Sequence, residues 1–254
     1  MLSIRVIPVL LLKDQGLVKG EKFRDHRYVG DPINVVKILN TKEVDELVFF
    51  DIMANQNGSK PDYGFLADIA SEAFMPFGYG GGLTKVIDIE RLFKVGVEKA
   101  IINTGALDLN FIRDASRIAG SQSVVASIDV RRSLLGKYEV YTRSGTCNTK
   151  MDPVIHARQL EEAGAGELII CSADRDGTLR GYDLELISRI SASVSLPVVA
   201  SGGAGSVEDM RHAVMAGASA VAAGSMFVFH GKWKAVLITY PKYSDLLAAF
   251  KERE

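Results

Sequence analysis

Cysteine is scarce in this chain: Cys147 and Cys171 are the only two in 254 residues. Two cysteines cannot build a disulfide framework, and no metal-ligand spacing accompanies them. The expectation is a reducing, cytoplasmic setting with no metal and no cofactor. Charge of one sign is also lacking, with 30 Lys and Arg against 31 Asp and Glu. A nucleic-acid partner would call for a clustered basic excess, so none is expected. No apolar stretch approaches the roughly 18 residues of a membrane helix. The opening run MLSIRVIPVLLLKDQG is interrupted by Arg5 and Pro8 and has no small-residue cleavage site. It reads as a buried first strand rather than a signal peptide. The four histidines, His26, His156, His212 and His230, share no ligand spacing, and His156 and His212 fall on helical stretches where surface positions are expected.

What is present is a large apolar fraction, 47% of residues, in a length that suits one domain over residues 1–254. Eight short apolar runs read as strands: Ile4–Leu11, Glu46–Asp51, Met75–Tyr79, Lys99–Asn103, Ser123–Asp129, Glu167–Ser172, Pro197–Ser201 and Ala220–Ala223. Near-continuous apolar character is what parallel strands buried on both faces require. Amphipathic stretches fill the gaps. Asp31-Pro32, Thr84, Asp108, Asp152, Asp183 and Ser206 mark helix starts, and Gly96, Gly120, Gly164 and Gly217 mark helix ends. Eight alternations predict an α/β fold of the (β/α)8-barrel type rather than an open sheet.

The chain also repeats itself. GYGGGLTKVIDIERLFKVGVEKAIINTG is echoed by ASGGAGSVEDMRHAVMAGASAVAAGS, with Gly81 answering Gly202, Gly96 answering Gly217 and Thr104 answering Ser225, each pair 121 positions apart. That pattern is a half-barrel duplication. Two long loops, Leu12–Gly30 and Val130–Met151, take the same place in each half. Lys137–Thr142, within the second, alternates like a hairpin strand.

Three constellations carry chemistry. Gly80-Gly81-Gly82 with Asn103-Thr104-Gly105, and Ser201-Gly202-Gly203 with Gly224-Ser225, are two glycine-bearing cradles of the kind that admit a phosphate to the backbone. Two of them on one barrel predict a ligand with a phosphate at each end. Asp51, Asp129, Asp174 and Asp176 stand at or just past strand C-termini, where general acid–base groups of barrel enzymes sit. Asp129 and Asp176 are the candidates for that work, and Asp51 and Asp174 for supporting roles. Arg5, Glu46, Lys99 and Glu167 stand at or near strand starts, two of each sign. They form either a stabilising rim of the barrel floor or a gate for a small molecule.

These motifs together resemble the cyclase subunit of imidazole glycerol phosphate synthase, the HisF family. The resemblance runs from strand 1 to about Phe229 through LLKDQGLVKG, GDPINVVK, DELVFFDI, INTGAL, SIDVRR, RSGTCNT, GAGELIICSADRDGTLRGYD and VVASGGAGSVED. It implies a barrel partnered at its N-terminal face by a HisH-type glutaminase subunit. Ammonia would pass a gate corresponding to Arg5, Glu46, Lys99 and Glu167 and meet a bisphosphorylated substrate at the opposite face, closing to imidazole glycerol phosphate and an aminoimidazole carboxamide ribotide. It further implies phosphate contacts at Gly82, Asn103 and Thr104 and at Gly177, Gly202, Gly203 and Ser225, with Lys19 closing over the substrate.

The family works with aspartates at the ends of strands 1 and 5. Asp129 matches the second; Leu11 stands where the first belongs. A leucine transfers no proton. The tail with AVLITYPKY also departs from the family pattern. Both features resemble HisF-like paralogues associated with surface-polysaccharide genes, for which the implied role is ammonia supply to a sugar amidotransferase. Two readings stand: a cyclase of histidine biosynthesis, or an ammonia-delivering subunit. A phosphoribosyl isomerase working alone would need the missing carboxylate and no gate.

Overall fold

The computed structural model describes residues 4–54 and 60–251. Strands β1 (Arg5–Lys13), β4 (Leu47–Asp51), β5 (Phe77–Gly80), β6 (Lys99–Ile102), β7 (Val124–Arg132), β10 (Glu167–Ser172), β11 (Val198–Ser201) and β12 (Ala220–Ala223) are each parallel to the next. β12 pairs back onto β1, Arg5 opposite Ala220, so the eight strands close into a (β/α)8 barrel. All eight expected strands are present, shifted at their ends by up to three residues. Period-two alternation divides each strand. Along β1, Ile7 and Val9 pack inside the barrel with Val48, Ile101, Val125, Ile169, Val199, Ala220 and Ala222, while Val6, Leu10 and Leu12 pack outward beneath the helices.

Helix boundaries follow local chemistry. Asp31, Asp108, Asp152, Asp183 and Ser206 each accept a backbone N–H of the helix they precede. Thr84 does not cap: the helix Val86–Lys94 begins one residue later, with Asp88 reaching back to the Lys85 amide at 3.2 Å. Asp62 caps a helix start, Tyr63–Glu72, that the sequence reading passed over. The stop glycines adopt φ of +81° to +108°, open to glycine at no steric cost.

The two long loops are hairpins. β1 runs on antiparallel into β2 (Gly16–Glu21), which pairs β3 (Arg24–Gly30). β7 likewise pairs β8 (Tyr138–Thr142), followed by the short β9 (Cys147–Asn148). The first hairpin was illegible as strands because its turns carry non-glycine residues in the left-handed region, Asp14 (φ 49°), Gln15 (61°), Lys22 (53°) and Phe23 (65°). Glycine, the usual turn marker, is absent from the central pair of both.

His156 corrects a surface expectation. It lies on the inner face of helix Pro153–Glu162 with Pro153, Ala157 and Leu160, and is 2% exposed. The aromatic tail straps the outside: Tyr240 donates its hydroxyl to the Val6 carbonyl at 2.9 Å and packs on Phe227, ring centres 5.4 Å apart. The final helix, Tyr243–Phe250, buries Leu246. Among the described residues no helix is long and apolar enough to cross a membrane.

Candidate functional site

At the barrel floor the four predicted charges meet. Arg5 opens β1, Lys99 opens β6, Glu167 opens β10 and Glu46 immediately precedes β4. Period-two alternation turns all four inward, below the apolar bore of Ile7, Val48, Ile101 and Ile169. Arg5 Nη1 bonds Glu46 at 2.5 Å and Arg5 Nη2 bonds Glu167. Lys99 Nζ reaches Glu46 and Glu167 at 2.9 Å each. Charges alternate around a closed ring of four. Burial works against the Arg5 charge, but the carboxylates of Glu167 and Glu46 outweigh it and hold its pKa above the ordinary value. Glu46 and Glu167 are 121 positions apart, whereas the residues 121 beyond Lys99 and 118 beyond Arg5 are Ala220 and Ser123. The duplication supplies the two anions, and the cations belong to one half alone.

At the opposite mouth lies a cavity open to solvent. Lys19, Gly81, Gly82, Asn103, Thr104, Asp129 and Asp176 line it, and so does Leu11. Leu11 lies opposite Phe50 in the sheet, and Asp129 opposite Cys171. Phe50 and Cys171 are again 121 apart, so Leu11 and Asp129 occupy corresponding rungs of the two halves.

Neither candidate carboxylate takes its neighbouring arginine. Arg131 goes to Asp174 (3.1 Å) and Arg175 to the carbonyls of Arg180 and Gly181. Asp176 instead receives Lys19 Nζ on both oxygens, 2.9 Å each, with Lys19 3% exposed. Asp129 accepts the Asn103 amide at 3.2 Å, and Asn103 also donates to the Ser127 carbonyl. Burial, and then the nearby Asp176 charge, push the Asp129 carboxyl up to about 7, against the pull of Asn103 and Arg131. Asp51 is consumed structurally: it accepts the amides of Met53 and Ala54 and the Tyr79 hydroxyl. Asp174 is likewise held by Arg131 and the Arg132 amide.

The first cradle opens into this cavity. Gly81 and Gly82 have φ of +154° and +64°, and the Thr104 hydroxyl accepts the Arg143 amide at 3.1 Å. The second cradle lies to the side and is covered. A Cβ at Gly203 would fall 2.2 Å from the Gly181 carbonyl oxygen, one at Gly177 2.3 Å from the Gly20 oxygen, and one at Gly224 2.9 Å from the Lys19 side chain. Gly202 is buried against Ser172. The Ser225 Oγ is buried and makes no hydrogen bond among the described residues.

Sequence reasoning missed His26, Phe23, Phe50 and Cys171, all of which line the cavity. Phe50 and Cys171 were readable from alternation in their strands. His26 and Phe23 depend on the hairpin folding over the mouth, where the Lys22 amide bonds the Asp176 carbonyl at 2.8 Å. No group of histidine, cysteine, aspartate and glutamate suited to a metal occurs among the described residues.

Fold and site define a (β/α)8-barrel protein with a glycine-lined mouth above a charged floor. A model of the histidine biosynthesis protein family matches residues 5–234. The chain belongs to that family, and to the HisF group within it. It is 50% identical over 252 residues to a protein of Pseudomonas aeruginosa provisionally named imidazole glycerol phosphate synthase subunit hisF2, covering 97% of this chain and 99% of the relative. It is 44% identical over 251 residues to a similarly named hisF3 of Vibrio vulnificus (96% and 95% covered). With the imidazole glycerol phosphate synthase subunit HisF of Alkaliphilus metalliredigens the identity is 40% over 232 residues (91% and 92%).

Proposed function

We propose that this chain is the synthase-type subunit of a glutamine amidotransferase pair, with a glutaminase docked on its N-terminal face. Ammonia enters through the ring of Arg5, Glu46, Lys99 and Glu167, crosses the bore, and meets a bisphosphorylated ligand at the C-terminal mouth. The carrying observation is the closed ring beneath an apolar bore. A floor built only for stability could be filled with apolar side chains at no loss, because desolvating four charges costs about as much as their attraction returns. The carbon walls above the ring suit a small neutral molecule. At the mouth, Lys19 closes over the ligand, Gly82 and Thr104 hold one phosphate, and Gly177, Gly202, Gly203 and Ser225 hold the other. Asp129, the strand-5 aspartate that the HisF resemblance points to, and Asp176, in the loop after strand 6, are the candidate acid–base groups; Asp129 is poised near neutrality and Asp176 is held by Lys19. The family reaction, ring closure to imidazole glycerol phosphate in histidine biosynthesis, is the activity this reading carries.

Leu11 favours a second reading. With a methyl-bearing side chain on the rung opposite Asp129, ring closure is lost and the ammonia passes on, to amidation of a surface-polysaccharide sugar by a separate amidotransferase. The test is turnover of the bisphosphorylated formimino substrate by the purified chain with saturating ammonium, beside Leu11→Asp. Ordinary turnover by the wild type supports the cyclase. A silent wild type beside an active Leu11→Asp supports ammonia delivery. Silence of both removes the substrate from the reading.

A further inference from the structure

The cavity holds six titratable side chains among the described residues: Lys19, His26, Asp51, Asp129, Cys171 and Asp176. Four are committed. Lys19 and Asp176 neutralise one another through two 2.9 Å contacts. Asp51 spends its oxygens on two backbone amides and the Tyr79 hydroxyl. Burial, and then the charges of Asp129 and Asp176, keep the Cys171 thiol protonated. Asp129 and His26 remain. His26 sits on β3 of the hairpin that covers the mouth, half-buried, and its ring nitrogens bond no described residue. It lines the same cavity as Leu11, and the hairpin that carries it is hydrogen-bonded directly to β1, Val18 opposite Leu11.

We infer that His26 is the second proton-transfer group of this pocket, supplying from the lid what Leu11 withholds from the end of β1. The inference rests on the reading of the mouth as a substrate site. Charges facing the imidazole come from every neighbouring element. Lys19 on β2 and Lys13 on β1 add to its burial and favour the neutral ring; Asp176, from the loop after β10, and Asp25, beside it on β3, oppose them less strongly. Near neutral pH the free imidazole therefore accepts a proton, while Asp129, largely protonated below about 7, donates one. In each turnover His26 takes one proton from the ligand and Asp129 returns one. Exchange with water restores both, so the balance closes. The hairpin of β2 and β3 carries His26 and Lys19 together over the mouth.

The experiment is the ammonium-dependent assay on the full chain across pH 5–9, with wild type, His26→Gln, Leu11→Asp and the Leu11→Asp/His26→Gln double variant. Expected are a wild type whose rate rises on the acid side with the His26 ionisation, and a His26→Gln that loses about 10²-fold or more in kcat with little change in KM and no acid limb. The double variant should regain most of the rate, which also shows that the substitution leaves the fold intact. An active wild type indifferent to His26→Gln overturns the assignment, as does a silent wild type made active by Leu11→Asp. If all four are silent, the substrate reading itself fails, and the inference with it.

Discussion

In the first half of the barrel Gly81, Gly82 and Thr104 open into the central cavity. In the second half Gly202, Gly203 and Ser225, 121 positions on, are buried beneath the Gly181 carbonyl, the hairpin of β2 and β3, and the Lys19 stem. Both cradles turn on positive-φ glycines, but at different angles: +154° and +64° at Gly81 and Gly82, +87° and +111° at Gly202 and Gly203. What also differs is the covering loop: β2 and β3 fold across the second cradle, while the loop after β8 stands beside the first, where the Arg143 amide bonds Thr104. At the floor the duplication keeps its anions, and at the mouth it loses one acid and keeps the other. A duplicated chain therefore fixes where ligands approach the backbone. The chemistry is then set by single substitutions and by which loop closes.

The corresponding rungs of Leu11 and Asp129 offer the largest effect. Asp129→Asn should lower ammonium-dependent turnover by about 10²–10⁴-fold, whereas Leu11→Val should leave it unchanged; comparable losses from both would break the asymmetry. The same variant has a stability signature. The folded carboxyl titrates near 7 against about 3.8 when free, so the folded state holds a proton that the unfolded state releases in between. Wild-type stability on this account falls as pH rises from about 4 to 7, and Asp129→Asn should melt above wild type at pH 8 and level with it near pH 4.

At the floor, Glu46→Gln and Glu167→Gln should cost similar stability in urea unfolding. Each loss should stay below the roughly 3–5 kcal/mol of a fully buried pair, because Arg5 and Lys99 reach solvent. Clearly unequal costs would show that the two anions are not equivalent. The cradles give a smaller contrast. Thr104→Ala removes the acceptor of the Arg143 amide and should lower stability by about 1 kcal/mol, while Ser225→Ala removes an unpartnered buried hydroxyl and should be neutral or slightly stabilising. Both variants should weaken phosphate binding, measured by calorimetry with inorganic phosphate. The smallest effect is at His156. Burial depresses its folded pKa, so its contribution is present above the unfolded value of about 6.5 and lost as pH falls below it. His156→Leu should flatten the melting temperature between pH 6.5 and 5, and an unchanged slope would assign acid sensitivity elsewhere.

The barrel, the repeat and the ends of most helices were readable from the chain. An apolar strand buried on both faces has few alternatives, an N-cap aspartate or serine acts on amides two or three residues away, and a stop glycine answers to its own φ. The ring was readable as four positions, because each charge stands at a strand start whose inward direction follows from alternation. The exceptions have separate local causes. The hairpin of β2 and β3 turns on Asp14-Gln15 and Lys22-Phe23, whose left-handed backbone no local signal announces. His156 shows a helical period too short to place its buried face by inspection.

By itself the sequence determined the architecture, the two cradles, the inward-facing charges at the floor and the missing acid at Leu11, since these depend on period, propensity and a register repeated 121 residues apart. Tertiary structure alone decided that Asp176 pairs with Lys19 instead of Arg175, that Asp129 is buried enough to titrate near neutrality, and that His26 comes to the mouth. Those outcomes depend on which side chains meet across the closed barrel and on how much water remains between them, and neither is a property of any local stretch of chain.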